Sequence, residues 1–535
     1  MTGRPEARRA ATGMGIATAA SRSVGFLRVL VVAAVLGTTY LGNAYQSTNS
    51  VSNVLFELIA AGALSAVLVP TFVELLDRND TERAEHLAGR LLGLALVVLG
   101  VVSIVGIIAA PWIAELLTRG VTEPEKAAQQ QELSTLLLRW FIPQVMLYAV
   151  GAVAVAVLYA KRELTVTAIA PIGYTVVTIL TMVVFRAVAG PDPTVDLSTN
   201  EALILAIGGT LGVAAFVGIP TVAVWRSGFR LIPRLGRSDH EVRRVVRLSG
   251  WAVFQHTMVG LLLGAAIVVG NSVKGGTVAY QVAFVFFLAP YAILAQPVHT
   301  AILSDLSREA DAPSAFARSL RWALDNIVLL LVPVTALLMA LAYPLMRVVA
   351  FGGAAKGDGT QLLAAGLASL AFGLVAYSAF LLFARSYYAL GNSRVPALVA
   401  LVSGVIGMVV MVVGGRAFDG SATVGMLGIG HSIAYVVGAF ALGVGLRRRT
   451  GESMWPPALL PAVGIAAPIG VVCWLVGAAV EPQSRLLTAL LVVGLGLAGL
   501  GTYLLGLRVF RHRPLTLPGR GGTRDLEPTD AAMEP

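Results

Sequence analysis

Apolar runs of about 20 residues, the length an α-helix needs to cross a bilayer, recur along nearly the whole chain. A chain patterned this way folds as a bundle of spanning helices. Fourteen candidate spans can be read, from 11–36 and 44–76 through to 457–479 and 485–508. Charged residues are only 13% of the 535 and hydrophobic residues 57%, where a soluble domain carries roughly 25% charge. The expected fold class is an all-α polytopic membrane protein. The first span is too long and too interrupted by arginine to be a cleaved signal peptide, and it is expected to stay.

The net charge of +10 does not imply nucleic acid, because its distribution follows topology. With fourteen spans both termini lie on one side of the membrane. Loops on that side hold 28 of the 39 Lys and Arg residues, opposite loops hold 9, and Arg22 and Arg28 fall inside the first span. The positive-inside rule then puts both termini in the cytoplasm. The lone cysteine, Cys473, excludes an intramolecular disulfide and a thiolate zinc cluster, and it reads as a small packing residue.

Arg22 and Arg28 sit where a spanning helix should not hold charge. From Thr12 they lie about 15 and 25 Å along a helix, within a hydrocarbon layer about 30 Å thick. Each costs at least about 2.5–3.5 kcal/mol at that depth. Two readings follow: the pair meets an anionic passenger, or each arginine is held by a buried carboxylate or carbonyls. The second span sharpens the choice. Gln46, Asn49, Ser50, Asn53 and Glu57 recur at helical spacing and form one polar stripe, which should face a cavity or another polar helix. Glu57 falls near the level of Arg22, so an Arg22–Glu57 ion pair is geometrically possible. Arg28 would then be freer to meet an anion.

Other polar residues in the spans, Gln255, His256, Gln281, Gln296 and His299, read as interhelical hydrogen-bond formers; His256 is alternatively a protonation site. Gly208/Gly212 and Gly260/Gly264 have the spacing that lets helices approach closely. Gly494, Gly496 and Gly499 match a dinucleotide fingerprint, but no strand precedes them and the context fails. There is no P-loop, no zinc-protease motif and no nucleophile–base set. The chain is not expected to be an enzyme, and no metal or cofactor is expected.

The chain also looks duplicated. Leu158-Tyr159-Ala160-Lys161-Arg162 and the later Tyr387-Tyr388-Ala389-Leu390-Gly391-Asn392-Ser393-Arg394 both read as helix, short basic turn, helix, roughly 230 residues apart. Two six-helix halves are typical of transporters built around a central site. The expected organisation is a six-helix lobe over 1–225, a basic cytoplasmic linker over 226–247, a pseudo-symmetric second six-helix lobe over 248–449, two extra spanning helices over 450–510 and a disordered cytoplasmic tail over 511–535. The linker, with seven arginines, reads either as lying on anionic headgroups or as a topology determinant only.

Ser21-Arg22 with Gly25-Phe26-Leu27-Arg28, then Asn53-Val54-Leu55, Gly62-Ala63-Leu64-Ser65 and Val69-Pro70, together resemble the MurJ (MviN) family of the MATE-like exporter superfamily. The turn from Tyr387 to Pro396 is similar to that family's turn between its tenth and eleventh helices. The resemblance covers essentially the whole chain. It implies a bacterial inner-membrane flippase that carries lipid II, a disaccharide-pentapeptide on polyprenyl diphosphate, to the outer leaflet by alternating access. It also implies two lobes in a V around a cationic cavity, with a groove for the lipid tail between two extra helices. On this reading Arg22 and Arg28 bind diphosphate, Gln46, Asn49 and Asn53 meet sugar or peptide, and Glu57 orients an arginine or opens a gate. The implied partners are lipid II, membrane lipids and cell-wall synthesis or division proteins, with no nucleic acid. The sequence departs from the family at several points. Phe56 and Glu57 stand where many members carry an arginine pair, and Asn43 where many carry an acid. Val285 stands where many carry a cavity arginine, and Met408 and Val412 where some bind sodium. The alternatives are a flippase or exporter for another lipid-linked saccharide or small solute, and a non-transporting scaffold for cell-wall synthesis.

Overall fold

The computed structural model describes residues 3–63, 69–235, 260, 262–480 and 484–509, with side chains described from Ala20 and not for 56–63 or 70. The part of the basic linker beyond residue 235, Gln255, His256 and the tail lie outside the described residues. The helices are α1 (Gly3–Leu36), α2 (Tyr40–Ala63), α3 (Val69–Asp77), α4 (Thr81–Thr118), α5 (Pro124–Phe141), α6 (Gln144–Ala160), α7 (Leu164–Ala189) and α8 (Thr199–Arg226). After α9 (262–270) come α10 (Gly276–Pro290), α11 (Gln296–Arg308), α12 (Pro313–Ala340), α13 (Ala342–Val349), α14 (Gly359–Phe372), α15 (Leu374–Ala389), α16 (Arg394–Ala417), α17 (Gly420–Thr450), α18 (Leu459–Ala479) and α19 (Arg485–Val509). No strand occurs among the described residues.

Ten of these are long and apolar enough to cross a membrane, and the pair α14–α15, bent by 47°, makes up to eleven. α5 with α6, and α10 with α11, each act as one span. α2 is not among them; its polar stripe dilutes the apolar content. α1 is not counted either, and the seventh expected span is described only at residue 260 and over 262–270. The fourteen spans read from the sequence therefore exceed what the described residues supply. That the bundle lies in lipid is clearest on α4. There Val97, Val101, Ile104, Val105 and Ile108 recur at helical spacing and are 50–62% exposed, an apolar face too long to leave in water.

The chain turns by local rules. α1 stops at Gly37, whose φ of 72° suits glycine, and Thr39 opens α2 by accepting the Gly42 amide at 3.1 Å. The two basic turns singled out in the sequence are built alike. One passes through Arg162 at φ 62° and the other through Gly391 at φ 70°. In the second, Asn392 Oδ1 accepts the Arg394 and Val395 amides at 3.1 and 3.2 Å and so starts α16. The beginning of the basic linker is tied to protein: the Arg234 amide donates to the Gly89 carbonyl at 2.8 Å and the Arg230 amide to Glu85 at 2.7 Å.

Packing sorts the helices. Two clusters bind α1–α8, one around Phe72, Leu87, Val157 and Phe229, the other around Leu36, Tyr45, Phe141 and Phe185. A third and larger cluster draws on α9–α17, with Phe287, Leu320, Leu367 and Leu427 at its centre. α18 and α19 pack on α12 through Ala462, Ala466 and Tyr503. Pro297 removes the amide that would bond back to Ile293, and between α10 and α11 the chain widens into a π-helix, Tyr291–Ala295.

Candidate functional site

Where the two groups of helices meet, a cavity of about 210 Å³ is lined by Arg28 of α1, Gln46, Asn49, Ser50 and Asn53 of α2, and Tyr280, Gln281 and Val285 of α10. Four residues expected from the sequence, Arg28, Gln46, Asn49 and Asn53, thus share one wall. For the three on α2 spacing explains it, because residues three and four apart lie on one helix face. Val285, the valine found in place of an arginine, lines the same cavity.

Tyrosines that the sequence did not single out hold this wall in shape. The Tyr174 hydroxyl donates to Asn49 Oδ1 at 3.4 Å and the Tyr148 hydroxyl to Asn53 Oδ1 at 3.3 Å. The Tyr174 ring also lies under the Arg28 guanidinium, 4.8 Å from its centroid, a cation–π contact that holds the charge without a carboxylate. Gly212 of α8 makes room for that ring: a Cβ there would stand 2.8 Å from Tyr174 Cδ2. The Gly208/Gly212 pair is therefore a packing device, as its spacing suggested. Across the cavity, Gln281 Nε2 donates to Ser50 Oγ at 2.6 Å and to the Gln46 carbonyl at 3.3 Å.

Arg22 does not line this cavity. It is exposed, and its Nη2 donates to Gln296 Oε1 of α11 at 3.1 Å. Six residues separate it from Arg28, about 9 Å of helix rise. Arg22 and Arg385 of α15 both lie in electrostatic reach of the Tyr291 hydroxyl. Arg385 lies within α15 and was not singled out in the sequence. Glu57 lies in α2, but its side chain, like that of Phe56, is outside the described residues, so the Arg22–Glu57 pair has no counterpart to inspect.

Towards the end of the bundle that carries Gly37, the two groups are sealed together. Asn43 Nδ2 donates to the Val273 carbonyl at 2.8 Å, while Asn43 Oδ1 accepts the Thr277 and Val278 amides at 3.1 and 3.4 Å. A residue of α2 therefore caps α10, whose own preceding residue, Gly275, has no side chain to do so. Beside it Ser47 and Thr277 donate to Asn271 Oδ1 at 3.0 and 2.8 Å, and Asn271 Nδ2 donates to the Leu117 carbonyl at 2.9 Å. Asn43, Ser47, Asn271 and Thr277 are all fully buried. Beyond this seal lies a wider vestibule of about 920 Å³, lined by Asp192, Lys274, Lys356, Asp358 and Asp419. An exposed Lys356–Asp192 ion pair bridges it. Among the described residues no cluster of His, Cys, Asp and Glu could hold a metal ion.

A family profile described as "Lipid II flippase MurJ" matches residues 32–493. The chain belongs to the lipid II flippase MurJ family. A probable lipid II flippase MurJ of Rhizobium tropici is 25% identical over 389 residues, covering 72% of this chain and 71% of that protein. The lipid II flippase MurJ of Burkholderia cenocepacia is 24% identical over 394 residues, covering 72% and 73%. Among solved structures, a lipid II flippase MurJ in an inward closed conformation superposes with a TM-score of 0.75 at 18% identity over 93% of this chain and 98% of that one. A MATE-family multidrug transporter of the MOP superfamily, inward-facing, gives 0.64 at 13% identity, with 80% and 94% covered. This MurJ family member thus has the fold of that superfamily, and it is a multi-pass membrane protein.

Proposed function

We propose that this chain flips lipid II, the polyprenyl-diphosphate-linked peptidoglycan precursor, from the inner to the outer leaflet of the bacterial plasma membrane by alternating access. Residues 1–225 and 248–449 act as the two moving lobes, with 226–247 as their linker. Residues 450–510 flank the second lobe, and both termini and the tail over 511–535 lie in the cytoplasm. The observation that carries the reading is Arg28, a guanidinium at the meeting line of two helix groups, held by an aromatic face in a cavity that neutral amides also line. A guanidinium fork suits diphosphate oxygens. The amides of Gln46, Asn49 and Asn53 offer both donors and acceptors, which suits sugar hydroxyls and peptide groups.

In this reading the arginine-rich end is cytoplasmic, the Gly37 end faces outward, and the seal around Asn43 closes the outer side. Arg22 lies nearer the cytoplasmic end and meets the diphosphate first, and Arg28 receives it deeper in the cavity. Glu57 orients an arginine or serves the inner gate. The cavity as it stands holds about seven waters at roughly 30 Å³ each, so the lobes must part to admit a headgroup. No bond is made or broken in the cargo. Neutral walls around a fixed cation favour this over export of cationic drugs, which calls for unpaired acids.

The test is the amount of lipid II on the outer face after depletion of this protein. Collapse of the outer pool with inner-face accumulation, rescued by the parent chain and not by R22A/R28A at equal membrane level, is the expected result. An unchanged outer pool in a strain without a second flippase would overturn it and favour another lipid-linked saccharide or a scaffold.

A further inference from the structure

The second group of helices contains a buried ionisable cluster that cargo binding does not use. His431 of α17 is 2% exposed. Its Nδ1 is 2.6 Å from the Tyr280 hydroxyl of α10, and its Nε2 is 3.2 Å from the Tyr435 hydroxyl one turn along α17. The Tyr435 ring abuts Tyr377 of α15 at 4.7 Å. An ionisable side chain inside a membrane domain is costly to keep and marks a working site by default.

We propose that His431 is a proton-binding site, and that its protonation biases the seal at the Gly37 end. The chemistry of its partners carries the first half. Both ring nitrogens face hydroxyls, and a hydroxyl can donate or accept. The neutral ring donates from one nitrogen and accepts at the other. After taking a proton from water in the adjoining cavity, the ring donates from both, and each hydroxyl turns to accept. The site gains one proton and one positive charge without losing either bond. A carbonyl partner would not permit this reversal. Among the described residues, the carboxylates on neighbouring elements are engaged elsewhere. α10 contributes Tyr280, α15 contributes Tyr377 and carries Arg385, Tyr387 and Tyr388 towards its end, and α14 has no titratable residue. α16 carries only Arg394 and Arg416, at its two ends. α12 carries Arg318, Arg321 and Asp325 near its start, where Arg321 pairs with Glu452 and Asp325 accepts the Ala458 amide. Arg28 lines the cavity that Tyr280 also lines.

Position carries the second half. Tyr280 is one turn from Thr277 and Val278, whose amides Asn43 caps, and adjacent to Gln281, which bonds α2. Turning the Tyr280 hydroxyl therefore acts on a helix that joins the two groups. A charge on His431 also raises the positive potential beside Arg28, so proton and anion should favour each other's binding.

The test needs no cargo, so its outcome is independent of the flippase reading. Spin labels at T122C and S421C, which flank the outer vestibule from the two groups, are placed in the full chain carrying C473S in lipid nanodiscs. Their distance distribution is measured by double electron–electron resonance between about pH 3 and 8, which extends below the range in which histidine charge commonly changes. The expected result is a shift with a single midpoint, abolished by H431Q and retained by H299Q. Y280F, which keeps the ring and removes the hydroxyl, should lower the midpoint by about one pH unit, because the protonated ring loses an acceptor. Y280F also serves if H431Q fails to fold. No shift in the parent, an equal shift in H431Q, an unmoved midpoint in Y280F, or loss of the shift in H299Q alone would each overturn the proposal.

Discussion

Replacing Asn43 by alanine should open the seal, and its size can be worked from the bonds lost. The side chain makes three contacts across the two groups, at 2.8, 3.1 and 3.4 Å. The third shares an oxygen with the second and adds little, so two full bonds are counted. Each is worth about 0.5–1.5 kcal/mol net, giving about 1–3 kcal/mol. If opening lets water reach Val273, Thr277 and Val278, the loss falls only on the sealed state. A bias of about 1–3 kcal/mol changes the open-to-sealed ratio roughly 5–150-fold. The same labelled pair, T122C/S421C, reads the ratio directly. N43D should lie closer to the parent: a carboxylate still accepts both amides and is favoured at a helix N-terminus by about 0.3–1 kcal/mol. It loses the bond to Val273, where two acceptor oxygens would then meet unless the acid is protonated. A distance distribution in folded N43A identical to the parent would refute the idea that this cap holds the groups together.

Other outcomes are equally open to measurement. R28A should weaken binding of a polyprenyl diphosphate in detergent at least tenfold, with R28K intermediate because an ammonium cannot make the bidentate fork; equal affinities for all three would remove Arg28 from the site. Gly212→Leu should displace the Tyr174 ring and reduce the same affinity while leaving the seal intact, readable from unchanged T122C/S421C distances. Because both partners of the Lys356–Asp192 pair are more than 60% exposed, D192N should change thermal stability by no more than about 1 kcal/mol. Ser198→Ala removes a capping box at the start of α8 and should cost about 0.5–2 kcal/mol in denaturation.

Periodicity made part of the site legible. Gln46, Asn49 and Asn53 share a face because an α-helix forces it, and no tertiary knowledge was needed. Arg28 on α1 could be suspected from its depth alone. The partners that give those residues their geometry could not. Tyr148 and Tyr174 read as ordinary aromatics in apolar spans, and only packing of α6 and α7 against α2 turns their hydroxyls onto Asn53 and Asn49. Arg22 shows a different limit. Its depth matched that of a ligand, but its helix face points it to Gln296, away from the inner cavity. Asn43 was noticed only as a missing acid, although its amide supplies the donor to Val273 that an acid would lack. The described residues supply ten or eleven spans rather than fourteen: α2 is too polar along its stripe to count by composition, and the seventh expected span is described only in part.

The cap that Asn43 places on α10 joins residues 234 positions apart. At a synthesis rate of about 5–20 residues per second, α2 leaves the ribosome roughly 10–50 s before the amides it will cap. For that interval a helix rich in Asn, Gln and Ser must wait at the membrane without its partners. The nascent protein therefore needs a wet or protein-lined holding place for α2, and the first half cannot complete its assembly until the second has begun to arrive.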